Sequence, residues 1–189
     1  MKPEEKKRLV VGISGASGAI LGIRFLSVSR ELGVETHLVV SPAAEKTINH
    51  ETGWQVSQVQ ELASAVYPYE DIGASIASGS FKTDGMVVIP CSIKTLSAIA
   101  NSYSTDLLAR AADVTLKEGR PLLLIVRETP LHPGHLRLMT EAANAGAVIF
   151  PPVPAFYARP QSIEQMVDDM VGRALLRLGI DNELYTHWN

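Results

Sequence analysis

The feature that most constrains this chain is a repeated alternation of short apolar runs with longer segments of helical spacing. Residues 9–13, 34–40, 86–90, 122–126 and 147–150 form the runs. They read as strands apolar on both faces, the pattern of a sheet covered on two sides. Between them, Ile20, Ile23 and Leu26 mark one stripe of a helix over 19–32 that stops at Gly33. Ser41-Pro42 opens a helix to about residue 50. Ser57-Gln-Val-Gln60 fits a capping box and predicts a helix to about residue 66. Further helices are expected over 92–101, over 105–118 before Gly119, and over 134–145 before Gly146. A second capping box, Ser162-Ile-Glu-Gln165, starts the last helix, which runs to Leu178 with Ile163, Met166, Val167, Met170, Ala174 and Leu178 inward. Residues 67–85, rich in Gly, Ser, Ala and Asp, read as a long loop.

Strand–helix alternation of this kind specifies an α/β fold: a Rossmann-like or flavodoxin-like three-layer α/β/α arrangement with a central parallel sheet. Its 189 residues suit one domain, 1–189, with no repeat or linker. A net charge of −3 and a pI of about 5.9 leave no basic field for a nucleic-acid backbone. No apolar run reaches the roughly 18 residues of a membrane span. The first residues carry no signal-peptide core, and the single cysteine, Cys91, excludes an internal disulfide. Both point to the cytoplasm.

In such folds ligands lie beyond the carboxyl ends of the strands. That rule selects residues 12–18, 41–51, 91–95, 127–135 and 151–159. Gly12-Ile-Ser-Gly15-Ala-Ser-Gly18 lets the backbone approach a ligand at a helix N-terminus, but its spacing is not that of a dinucleotide fingerprint. The second strand also ends Leu38-Val-Val-Ser41, without the acid that would hold an adenine ribose. A mononucleotide such as FMN fits better than NAD. Pro90-Cys-Ser-Ile-Lys-Thr95 opens a helix whose Ser92, Thr95 and amides suit a phosphate. Cys91 has no identifiable base beside it and reads as buried and inert. Arg110, Lys117, Arg127, Arg159 and Arg173 are scattered through the second half as candidate phosphate cations, with Arg127 in the ligand zone. His132 and His135 would give a catalytic zinc only two of three ligands, so no metal is expected.

These segments resemble those of the flavin prenyltransferases, the UbiX family, over essentially the full length. The resemblance rests on Val10-Val-Gly-Ile-Ser-Gly-Ala-Ser-Gly-Ala19, Ser78-Gly-Ser80, Pro90-Cys-Ser-Ile-Lys-Thr-Leu96, Arg110-Ala-Ala-Asp-Val114, Leu116-Lys-Glu118, Arg127-Glu128 and Pro151-Pro-Val-Pro-Ala-Phe-Tyr157. It implies a metal-independent transfer of a dimethylallyl group from dimethylallyl phosphate to N5 and C6 of reduced FMN, the product serving UbiD-type decarboxylases. It implies a homo-oligomer, typically a dodecamer, with active sites between subunits. It assigns FMN contacts to Gly15, Ala16, Ser17, Ser41, Ser92, Ile93, Lys94, Thr95 and Arg127. Lys117, Tyr157 and Arg173 are implied to hold the dimethylallyl phosphate, with Arg110 near a phosphate. Ser17, Glu51 and Glu128 match positions tied to proton handling, and Lys117 is counted with these as catalytic. Gly119 and Val126 depart from the family pattern without touching a matched site residue.

Overall fold

The computed structural model describes residues 6–187. The reading of the first five residues as free of a signal sequence lies outside the described residues. Six strands, β1 Arg8–Ile13, β2 Glu35–Val40, β3 Ala65–Tyr67, β4 Gly85–Cys91, β5 Leu122–Val126 and β6 Val148–Ile149, form one sheet. Every pair is parallel, in the order β3-β2-β1-β4-β5-β6. The helices are α1 Ala19–Glu31, α2 Pro42–Glu51, α3 Val56–Gln60, α4 Ile93–Ala100, α5 Leu107–Lys117, α6 Pro133–Asn144 and α7 Ile163–Arg177.

Successive strand residues point to opposite sides, and each side has its own core. Leu9, Val11, Ile13, Leu38, Val87, Ile89, Leu123 and Ile125 pack with α1, α2 and α7. Val10, Val39, Met86, Val88, Leu122, Leu124 and Val126 pack with α4, α5 and α6. The continuous apolar runs follow from this: β4 and β5 are buried at every position. The expected three-layer α/β/α fold is what the chain adopts.

Three expectations are corrected. The helix predicted to run to residue 66 ends at Gln60, and its box is built on Gln55, whose amide donates to Gln58 Oε1 at 2.8 Å. The chain then turns into β3, because Ser64 N donates to Thr36 O at 3.0 Å and draws the next residues alongside β2. Three residues at a sheet edge, with Val66 exposed, carry too little pattern to read as a strand. Finally, Ile163 is not inward. It is the first residue of α7 and is 72% exposed, and the buried stripe begins at Val167.

α1 crosses β4 so closely that a Cβ on Gly22 would lie 2.4 Å from the Ile89 carbonyl oxygen. That oxygen belongs to a central strand and cannot withdraw. Gly22→Val should therefore destabilise the fold by about 1–3 kcal/mol or more, read as a lower denaturation midpoint. An unchanged midpoint would show that α1 is free to shift.

Candidate active site

The strand order reverses between β1 and β4, so the connections leaving them diverge and open a crevice at their carboxyl ends. Its floor is tied across strands. Ser14, 1% exposed, donates from Oγ to Pro90 O at 2.9 Å and accepts from Ser92 N at 2.7 Å. Ser41 N donates to Ile13 O at 3.0 Å, and Arg127 N to Cys91 O at 3.1 Å. Four strand ends are thereby held in register, and the expected site residues from four segments arrive together: Gly15–Ser17, Ser41, Ser92–Thr95 and Arg127.

Three helix N-termini meet there, each with amides that lack an intrahelical partner. At α2 the Ser41 hydroxyl accepts from Ala44 N at 3.2 Å. At α4 the Ser92 hydroxyl accepts from Thr95 N at 3.3 Å and donates to Thr95 Oγ1 at 3.1 Å. The amides of Ile93 and Lys94 have no partner among the described residues. At α1 the N-cap is Gly18, at φ 102°, with no side chain to cap with. Glu51, the last residue of α2, does it from a distance, accepting from Gly18 N at 2.8 Å and Ala19 N at 3.2 Å. The loop before α1 passes close to α2: a Cβ on Gly15 would sit 2.3 Å from Ala43 Cβ, so only glycine fits.

Partial burial works against charge on Glu51, but hydrogen bonds from Gly18, Ser17 and Ala19 and the nearby Arg127 cation outweigh it and lower its pKa. The carboxylate is thus a standing anion beside Ser17 and Arg127. Glu128 is exposed at the same edge, with Oε1 accepting from its neighbour Thr129 N at 3.0 Å. The Lys94 ammonium is turned from the crevice toward the Tyr69 ring, 6.0 Å from its centre. Cys91 is fully buried and burial pushes its thiol pKa strongly up, in keeping with an inert cysteine. His132 caps α6 through Nδ1, which accepts from Gly134 N at 3.0 Å.

The expected phosphate ligands are not gathered within one chain. Lys117 ends α5, paired with Glu118 at 2.6 Å, and Arg110 on the same helix pairs with Asp113 at 3.0 Å. Arg173 lies on α7, on the opposite side of the sheet. Tyr157, in a 3-10 turn at Phe156–Ala158, donates to Thr186 O at 3.2 Å near α7. The sheet therefore stands between Lys117 and Arg173. Sequence reasoning missed Ser14, although its place between a strand and two glycines is a signal that a buried hydroxyl there must find partners.

A doubly wound α/β scaffold with an anion-seeking, hydroxyl-lined crevice at its reversal defines a mononucleotide-binding class of protein. The flavoprotein family profile matches residues 1–175. The flavin prenyltransferase UbiX of Escherichia coli K12 is 58% identical over 185 residues, covering 96% of this chain and 98% of that protein. The crystal structure of AnUbiX in complex with FMN and dimethylallyl pyrophosphate superposes with a TM-score of 0.96 at 51% identity, covering 98% of each chain. The dodecameric FMN-dependent UbiX-like decarboxylase from Escherichia coli O157:H7 gives 0.94 at 45% identity, covering 96% of this chain and 99% of that one. The chain belongs to the flavoprotein family and, within it, to the UbiX flavin prenyltransferases.

The capping role of Glu51 has a pH signature. Its folded pKa lies below the ordinary 4.5, so its charge stabilises the fold above that value and ceases to as pH falls through the lowered one. Glu51→Gln should be less stable than the parent at neutral pH, and the gap should close in acid. A gap of constant size from pH 7 to pH 3, the latter about a unit and a half below the ordinary carboxylate value, would refute a charge-based cap.

Proposed function

We propose that the protein is a flavin prenyltransferase, transferring a dimethylallyl group from dimethylallyl phosphate to N5 and C6 of reduced FMN. The observation that carries this reading is the full-length match to the flavin prenyltransferases, made on a chain that retains the crevice and its donors. The product goes to a UbiD-type decarboxylase, in the cytoplasm, where a lone buried thiol is at home.

The residues present fit FMN. The Ile93 and Lys94 amides at the start of α4 suit its phosphate or ring-edge oxygens. Ser41, Ser92, Thr95 and Arg127 add hydroxyls and a cation, and the tight passage of Gly15 brings Ala16 and Ser17 to the crevice without bulk. Bound and reduced, the flavin supplies an electron-rich face and nucleophilic N5 and C6. The protein's part is to take charge from the leaving group and to handle protons. Lys117, Tyr157, Arg173 and Arg110 neutralise the phosphate as the allylic C–O bond breaks and its electron pair leaves with oxygen. Glu51, through Ser17, and Glu128 take up and return protons as the fourth ring closes.

A homo-oligomer, of dodecamer type, follows from the same reading. Lys117 and Arg173 reach one phosphate only if they come from different chains, since the sheet separates them in one. Apolar side chains left in water, Val153 at 66%, Phe156 at 72% and Ile163 at 72%, suit faces covered by another copy.

Incubating the protein with FMN, a reductant and dimethylallyl phosphate should yield a flavin heavier by one isoprene unit by mass spectrometry. Lys117→Ala or Arg173→Ala should slow that product about a hundredfold, on the order of 3 kcal/mol, with FMN still bound. Tyr157→Phe should be milder. Unchanged flavin mass with the parent protein would overturn the assignment; normal rates in all three variants would misplace the phosphate pocket.

A further inference from the structure

Asp169 is the carboxylate on α7 that the assigned chemistry leaves unexplained. It is 6% exposed, and its two oxygens differ. Oδ1 accepts from Thr186 N at 3.1 Å, whereas Oδ2 is buried with no partner among the described residues. A buried carboxylate oxygen without a donor is costly, and a fold that keeps one commonly has a use for it. Its neighbour Asp168 is already engaged, accepting from Arg24 Nε at 2.6 Å.

Thr186 uses both of its backbone groups. Its amide donates to Asp169, and its carbonyl accepts from the Tyr157 hydroxyl at 3.2 Å. The segment carrying it is laid along α7 by Asn182, whose Nδ2 donates to Gly172 O at 2.9 Å and whose Oδ1 accepts from Leu184 N at 3.1 Å. The fit is close: a Cβ on Gly172 would lie 2.8 Å from Asn182 Oδ1 and 2.9 Å from Leu184 Cβ. Arg173 follows Asp169 by four residues, the spacing at which an acid and a later base meet on a helix. It is exposed and enters no ion pair among the described residues.

We propose that Asp169 is a positioning residue for the allylic-phosphate pocket, holding Tyr157 in place through Thr186 and presenting its second oxygen to the Arg173 guanidinium, which turns to it when the phosphate binds. This rests on the reading of Tyr157 and Arg173 as phosphate ligands. Asp169 does not touch the phosphate, since two anions in contact would repel. It sets where the donors stand. With the Tyr157 ring fixed, its O–H swings from the Thr186 carbonyl to an arriving phosphate oxygen by rotation about the C–O bond alone.

The test is steady-state prenylation by the full-length protein loaded with reduced FMN, with dimethylallyl phosphate as the varied substrate. Asp169→Ala should raise KM for the phosphate about tenfold or more, the scale of one lost charged hydrogen bond, with FMN affinity unchanged. Asp169→Asn keeps an acceptor for Thr186 but no charge for Arg173, and should rescue part of the loss. In an Arg173→Ala background, Asp169→Asn should add little, because the partner of its charge is gone. Parental KM in both Asp169 variants, with Arg173→Ala impaired, would overturn the proposal and leave the phosphate pocket standing. Normal kinetics in Arg173→Ala and Tyr157→Phe would overturn that pocket and the proposal with it. Should Asp169→Ala fail to fold, the Asn variant decides, and full additivity with Arg173→Ala counts against the proposal.

Discussion

The site depends on how unpaired helix amides are satisfied where β1 and β4 part company. Three helices begin there, and each brings N–H groups that its own backbone cannot occupy. Two are capped locally by Ser41 and Ser92. The third, starting at Gly18, is capped by a carboxylate from the far end of α2. Glu51 is unfavourably placed with respect to the dipole of its own helix, being at the C-terminus of α2, and favourably placed at the N-terminus of α1. One contact therefore ties the end of α2 to the start of α1 and charges the crevice wall, while the Ser92 cap on Thr95 N leaves the Ile93 and Lys94 amides without a partner among the described residues.

Much of the fold was legible because its signals are local. Buried strands showed as continuous apolar runs, and Ser41, Ser92 and Ser162 each cap a helix where the sequence places a capping hydroxyl. Gly33, Gly119 and Gly146 each follow a helix with positive φ, as expected of helix stops. The failures were short or long-range. β3 has three residues and one partner strand, and only the pairing of Ser64 with Thr36 reveals where the chain must go. The helix after α2 starts at a glutamine pair, Gln55 and Gln58, two residues before the serine that the residue pattern favours.

The site divides in the same way. Gly15, Ser41, Ser92 and Thr95 could be nominated from residue type and position. Glu51 was nominated by family resemblance alone, because nothing in its neighbourhood shows that Gly18, thirty-three residues earlier, would present its amide to it. Lys117, Tyr157 and Arg173 were nominated by family resemblance, and the geometry of one chain explains why spacing alone was silent. Lys117 and Arg173 stand on opposite faces of a sheet whose order can be read only once its strands are paired.

That separation gives the account its central claim, that the prenyl-phosphate pocket is assembled from two chains. Lys117 and Arg110 lie on one side of the sheet and Arg173 on the other. The most direct measurement is prenylation by oligomers co-assembled from Lys117→Ala and Arg173→Ala chains, compared with each variant alone. Sites between chains would regain activity wherever an intact lysine meets an intact arginine, and the mixture should exceed the mean of its parents well beyond error. A mixture no more active than that mean would place both residues in the same chain's pocket and contradict the account.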